Sequence, residues 1–181
     1  MGLGYAAGFT HHGIKANCVD LNPKIVRRIN DGQSPIDEPG MAEALASARQ
    51  RGLLRATTDL AEVAGETDAF FICVGTYCDE AGNIDLAQVR GAARDIGAQL
   101  AHDTKYRVVC VKSTVIPGTT DGVVAPILEA ESEKVVGRDV GLCMSPEFLR
   151  EGNALEDILH PDKVVIGGWD PRSIAALKPM K

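Results

Sequence analysis

The sequence predicts an α/β fold with a doubly wound, mostly parallel sheet, and three observations carry that prediction. Short apolar runs with β-branched residues recur at 16–19, 69–74, 108–111, 140–143 and 164–166, with a minor one at 55–57. Longer stretches with apolar positions at helical spacing fill the gaps, and this alternation is the signature of βαβ units. No internal repeat, low-complexity segment or long linker interrupts the pattern, so 181 residues read as one domain with a core large enough to fold alone.

The helices follow from local chemistry. Pro23 opens one at its first turn, where the missing N–H loses no bond. Residues 40–51 carry an Ala/Leu face, 86–100 repeat apolar residues at helical spacing, and another helix begins after Pro117-Gly118. His11 and His12 fall on a short helix facing solvent, and neither is assigned to catalysis or to a metal.

Composition narrows the function. With 45% hydrophobic and 24% charged residues the chain is ordinary globular protein, and no apolar run approaches membrane-spanning length. A net charge of -6 without a Lys/Arg stripe excludes a nucleic-acid backbone as the expected partner. Of the five cysteines, Cys18, Cys73, Cys110 and Cys143 lie in apolar runs, where cysteine behaves as a small buried hydrophobe. Cys78 sits in a polar loop with no partner at metal spacing, so no metal is expected. An odd number of scattered cysteines with no secretory signal points to a reducing cytoplasm.

Three segments read as sites. Gly2 and Gly4 would let backbone amides approach a pyrophosphate at a helix N-terminus, where unpaired N–H groups and the helix dipole favour an anion. Asp20 ends the 16–19 strand, where a carboxylate accepts the ribose hydroxyls and disfavours a 2'-phosphate, pointing to NAD over NADP. A helix N-cap is the competing role for Asp20, since Pro23 follows closely. The stretch Ser145-Pro146-Glu147-Phe148-Leu149-Arg150-Glu151-Gly152 sets two carboxylates and a guanidinium around an aromatic-aliphatic pair, just past the strand 140–143. Open α/β folds place their ligands at that carboxyl edge.

Together with Pro35-Ile36-Asp37-Glu38-Pro39-Gly40, Ile72-Cys73-Val74-Gly75-Thr76 and Lys112-Ser113-Thr114-Val115-Ile116-Pro117-Gly118-Thr119, these segments resemble the NAD-binding domain of the UDP-glucose/GDP-mannose 6-dehydrogenase family over residues 1–168. The resemblance implies a Rossmann-like fold, NAD as cofactor, and oxidation of a nucleotide sugar at C6 to the uronate, with a place in polysaccharide biosynthesis. It gives Gly2, Gly4, Asp20, Thr76, Thr114 and Glu151 cofactor contacts, with Thr114 also ordering an active-site water. Glu147 would handle the proton or water of the hydrolytic step, with Thr114, Glu147 and Glu151 forming the catalytic set. Phe148, Leu149 and Arg150 would line the sugar pocket. Glu38 reads as a turn and helix start, and Lys112 has no assigned role. Where the family has proline after Thr76, this chain has Tyr77.

The resemblance also implies gaps. Only Met1 precedes Gly2, so the strand that should aim the glycine turn is expected to be lacking, leaving its neighbours short of a partner and the chain marginally stable. Gly2 to Asp20 runs about five residues short of the family, over a turn of helix at about 1.5 Å per residue. Ala7 stands where counting puts the third glycine. The family's nucleophilic cysteine and substrate-grasping residues have no counterpart here, and the tail 169–181 is expected to lack resemblance. The chain is accordingly expected to act only within a complete enzyme and to form a homo-oligomer there. A non-catalytic NAD-binding remnant or degenerate subunit is the alternative, and a relative of the 6-phosphogluconate or 3-hydroxyacid dehydrogenases is disfavoured by the 145–151 motif.

Overall fold

The structure, a computed structural model, describes residues 1–80 and 82–180. In chain order its main elements are α1 (Gly2–His11), β1 (Ala16–Val19), α2 (Pro23–Asn30), α3 (Met41–Gln50), β2 (Leu54–Thr57), α4 (Ala61–Ala64), β3 (Ala69–Ile72), α5 (Ala87–Leu100), β4 (Arg107–Val111), α6 (Ala125–Ser132), β5 (Val140–Met144), α7 (Ala154–Leu159), β6 (Gly167–Gly168) and α8 (Pro171–Leu177). They form two compact units: Met1–Val63 with Phe148–Lys163 and Met180, and Ala64–Glu147 with Val164–Pro179.

In the first unit β1 and β2 pair in parallel, from Ala16 opposite Leu54 to Val19 opposite Thr57. Asn30, closing α2, accepts the Ala56 N–H and donates to its carbonyl at 2.8 and 2.9 Å, tying the helix to β2. Met41 and Leu45 are fully buried from α3 and share a core with Ala6, Ala7, Ile29 and Leu155. The cap of α2 corrects one expectation. Asn22, directly before Pro23, accepts the Lys24 N–H at 3.0 Å, while Asp20 accepts the Asn22 N–H at 2.8 Å one step upstream. With proline at the first helical position, the capping side chain belongs to the residue before it.

Helix α7 packs on α1 at its glycines. A methyl built on Gly8 would lie 2.5 Å from Ile158 Cγ2, and one on Gly4 2.8 Å from Ile158 Cδ1. Gly4 thus serves a close helix contact whatever else it does. The α7 N-terminus is capped from far away in sequence, since Glu38 Oε1 accepts the Ala154 N–H at 2.6 Å.

The second unit holds a sheet of order β3-β4-β5-β6. The first three strands are parallel, with Ala69 opposite Val108 and Cys110 opposite Cys143. Every residue of β4 is buried, as a strand covered on both faces requires. The strand expected at 164–166 is displaced: those residues form none, and Gly167 and Gly168 pair antiparallel with Met144 and Cys143 instead. Only a residue without Cβ fits there, because one on Gly168 would lie 2.8 Å from Ile174 and 3.0 Å from Cys143 Sγ. After Gly118 the chain makes one π turn, Thr120–Val124, before α6. Pro126 cannot donate into that turn, so the hydrogen-bond ladder changes register there.

The residues 169–181, expected to lack family resemblance, include α8, which buries Ser173 and Leu177. Asp170 caps that helix by accepting the Ser173 N–H at 2.8 Å, and also accepts the Tyr106 hydroxyl at 3.1 Å. The Arg172 guanidinium lies 3.7 Å above the Tyr106 ring. Burial, with the Asp170 charge, pushes the phenol up to about 12.

Next to Tyr106, at the start of β4, Arg107 is 2% exposed. Its guanidinium donates to Asp103 at 2.6 Å, Asp68 at 2.7 Å and the Gly65 carbonyl at 2.9 Å, joining the segments before β3 and β4. Among the described residues β1 has β2 as its one strand neighbour, and β3 has β4.

Candidate functional site

The first unit carries the glycine turn and the acidic residue. Helix α1 starts at Gly2 with no side-chain cap and no acid in its first turn. The Gly4 N–H is taken by the Met1 carbonyl at 2.9 Å, which leaves the amides of Gly2 and Leu3 as the N-terminal donors for an anion. Asp20 directly follows β1, its N–H bonded to the Thr57 carbonyl at 3.1 Å. One carboxylate oxygen accepts from Asn22, and a carboxylate has acceptor capacity left for a diol. These groups fit the diphosphate and ribose of a dinucleotide: amides without a competing acid for the one, an acceptor-only side chain for the other.

The second unit brings Thr76, Ser113 and Thr114 together at the carboxyl edge of β3 and β4. Thr76 Oγ1 donates to the Thr114 carbonyl at 2.7 Å, and Ser113 Oγ to the Val74 carbonyl at the same distance. The Thr114 side chain stays exposed above this lacing. One strand further, Ser145 extends the pairing past β5, its N–H on the Val111 carbonyl at 3.0 Å. Lys112, unassigned by sequence, is 5% exposed, and its ammonium donates to Ser145 Oγ at 3.2 Å.

Residues 145–150 form no helix, so Glu147 and Glu151 do not face one another across a helical turn. Glu147 is half-buried in the second unit, whereas Phe148, Leu149, Arg150 and Glu151 belong to the first. Phe148 is 47% exposed, with the Lys163 ammonium 4.2 Å from its ring centroid. Glu151 is exposed, and Gly152 turns the chain at φ 75° toward α7.

Asp157 on α7 holds this turn, and no sequence signal marked it. Its carboxylate accepts the Arg150 backbone N–H at 2.8 Å, the guanidinium Nε at 3.1 Å and Nη2 at 2.5 Å, and the Asn153 amide at 3.2 Å. The hydrogen bonds from Arg150 hold the Asp157 carboxyl down at about 2. A depressed folded value contributes stability present above the unfolded aspartate value of about 4. That contribution is lost as the pH falls through about 2. In a carboxyl NMR titration Asp157 should therefore have a midpoint near 2, and Arg150→Met should return it toward the ordinary range. A midpoint near 4 in the unmodified protein would show that the clamp does not form in solution.

The thiols behave as structural groups. Burial pushes Cys73 up to about 11 and Cys110 to about 12, and raises Cys143 as well. Among the described residues no cluster of three or more His, Cys, Asp or Glu could hold a metal ion. No helix among them is long and apolar enough to cross a membrane.

The family described as the UDP-glucose/GDP-mannose dehydrogenase family, NAD binding domain, matches residues 1–180, through α8 and past Gly168. The UDP-glucose 6-dehydrogenase of Haloferax volcanii is 42% identical over 177 residues, covering 98% of this chain and 41% of that protein. The GDP-mannose 6-dehydrogenase of Pseudomonas syringae pv. syringae is 41% identical, covering 95% and 40%. Among solved structures, a ternary complex of GDP-mannose dehydrogenase from Pseudomonas aeruginosa superposes with a TM-score of 0.96 at 36% identity, covering 98% of this chain and 41% of that one. A UDP-glucose dehydrogenase from Pyrobaculum islandicum gives a TM-score of 0.93 at 40% identity, covering 98% and 40%. The chain spans about 40% of the length of the curated relatives it matches. With a Rossmann-like fold and the glycine turn, strand-end carboxylate and 145–152 motif in place, this chain belongs to the UDP-glucose/GDP-mannose dehydrogenase family and corresponds to its NAD-binding domain.

Proposed function

We propose that this chain supplies the cofactor-holding part of an NAD-dependent oxidation of a nucleotide sugar, UDP-glucose or similar, at C6 to the uronate. The observation that carries the reading is the uncapped N-terminus of α1 in the same unit as the strand-end carboxylate Asp20. The amides of Gly2 and Leu3 bind the diphosphate, and Asp20 takes the adenosine ribose. Thr76 and Thr114, laced at the ends of β3 and β4, are cofactor contacts on this reading, and Glu151 is another. NAD supplies the hydride acceptor when bound. Glu147 handles the proton or water of the hydrolytic half, and Phe148, Leu149 and Arg150 face the sugar, with Arg150 held by Asp157. Residence in the cytoplasm and assembly with further copies belong to the same reading.

Calorimetry with the two dinucleotides tests it. NAD should bind more tightly than NADP, by about tenfold for 1.4 kcal/mol of charge repulsion at the 2'-phosphate. Asp20→Ala should narrow that preference mainly by weakening NAD. Equal affinities in the unmodified protein would sink the assignment of Asp20. A second reading, a non-catalytic NAD-binding subunit, is favoured by the three thiols that burial holds protonated. It shares the NAD preference and differs in turnover.

A further inference from the structure

We propose that Lys112 is a positioning residue: from beneath the carboxyl edge of the β3-β4-β5 sheet its ammonium group holds Ser145, and through Ser145 fixes the turn that carries Glu147. The inference deepens the reading above and rests on it for what Glu147 does. The anchor itself stands on geometry.

Lysine is almost never buried unless paired, yet Lys112 is 5% exposed directly after β4. Its main chain is locked, with the N–H on the Ile72 carbonyl at 2.9 Å, so the side chain starts from a fixed point. Ser145, also 5% exposed, receives the ammonium at 3.2 Å and bonds Val111 through its own N–H at 3.0 Å. Both ends of the contact are therefore set by the sheet. The next residue, Pro146, has no N–H to offer, so Ser145 is the last residue tied to the strand ladder before Glu147.

The charges around Lys112 agree with such a role. Burial lowers its pKa, while Cys110, Cys73 and Glu147 oppose that shift. Both thiols are raised by burial and stay neutral near pH 7. Glu147 is the carboxylate that acts on Lys112 among these groups. A cation kept dry under the edge thus serves two ends: it anchors the turn mechanically and keeps a fixed positive charge on the carboxylate's side. A lysine with no positioning task would be expected to tolerate an apolar residue of similar volume.

The test is amide hydrogen exchange by NMR on this chain, comparing the unmodified protein with Lys112→Met, Lys112→Arg and Ser145→Ala. Lys112→Met should speed exchange of the Ser145 and Glu147 amides about tenfold or more, and Lys112→Arg, which keeps a cation to donate to Ser145, should restore most of the protection. Ser145→Ala removes the acceptor of the ammonium and should loosen the same amides. A folded Lys112→Met that leaves these amides unchanged overturns the proposal. Should Lys112→Met fail to fold, Ser145→Ala decides: loosened amides support the anchor and unchanged amides overturn it. NAD titration of the same samples separates the two ideas, because absence of NAD binding in the unmodified protein would defeat the functional reading without touching the amide result.

Discussion

Replacing Arg107 with methionine is expected to lower the unfolding free energy by about 3 kcal/mol, a large share of the roughly 5 to 15 kcal/mol that holds a domain together. The guanidinium is 2% exposed and satisfies three acceptors, Asp103, Asp68 and the Gly65 carbonyl. Removing it strands the Asp103 carboxylate, whose side chain is 17% exposed, and leaves the Gly65 carbonyl without its donor. The effect falls at the low end of the range for broken buried pairs because Asp68 is 86% exposed and rehydrates freely. The same asymmetry orders a mutant series in urea unfolding. Asp68→Asn should change stability by less than about 1 kcal/mol, as exposed ion pairs do, and Asp103→Asn should cost more. Equal losses from the two aspartates would show that the cluster is solvated in solution.

The second large effect is an absence. This polypeptide, given NAD and UDP-glucose or GDP-mannose, should yield no uronate and no steady NADH. Oxidation through to the acid, as proposed for the family, needs covalent capture by an activated thiolate. Burial pushes Cys73 and Cys110 to about 11 and 12 and raises Cys143, so all three are protonated near neutral pH. Cys18 is half-buried against the first unit's core, and Cys78 is exposed in the loop after Thr76. Steady NADH formation abolished by Glu151→Ala would overturn this expectation. Single cysteine substitutions would then locate the nucleophile. We expect none of them to matter.

Much of the architecture was legible because its signals are local. The apolar runs at 16–19, 69–74, 108–111 and 140–143 became β1, β3, β4 and β5, shifted by a residue or two at their ends. Pro23 marked the start of α2, and Gly40 sits just before α3. The run at 164–166 misled, because apolar composition does not say whether a backbone finds a partner; β5 took the two glycines that follow, and at Gly168 the approach is too close for a Cβ. Likewise the residues after Gly168 carried no motif, yet Tyr106, Asp170 and Arg172 gather across the unit to hold α8.

The sequence by itself determined the α/β class and the NAD-binding family, since each depends on periodicity or on short motifs. Tertiary structure alone decided which polar groups meet. Glu38 caps α7 across 116 residues, Lys112 reaches Ser145 across 33, and Arg107 reaches Asp68 across 39. Such contacts carry no spacing in the chain, because the strands and helices that bring them together are packed by apolar burial, and burial fixes where an element lies without regard to the polar side chains it delivers.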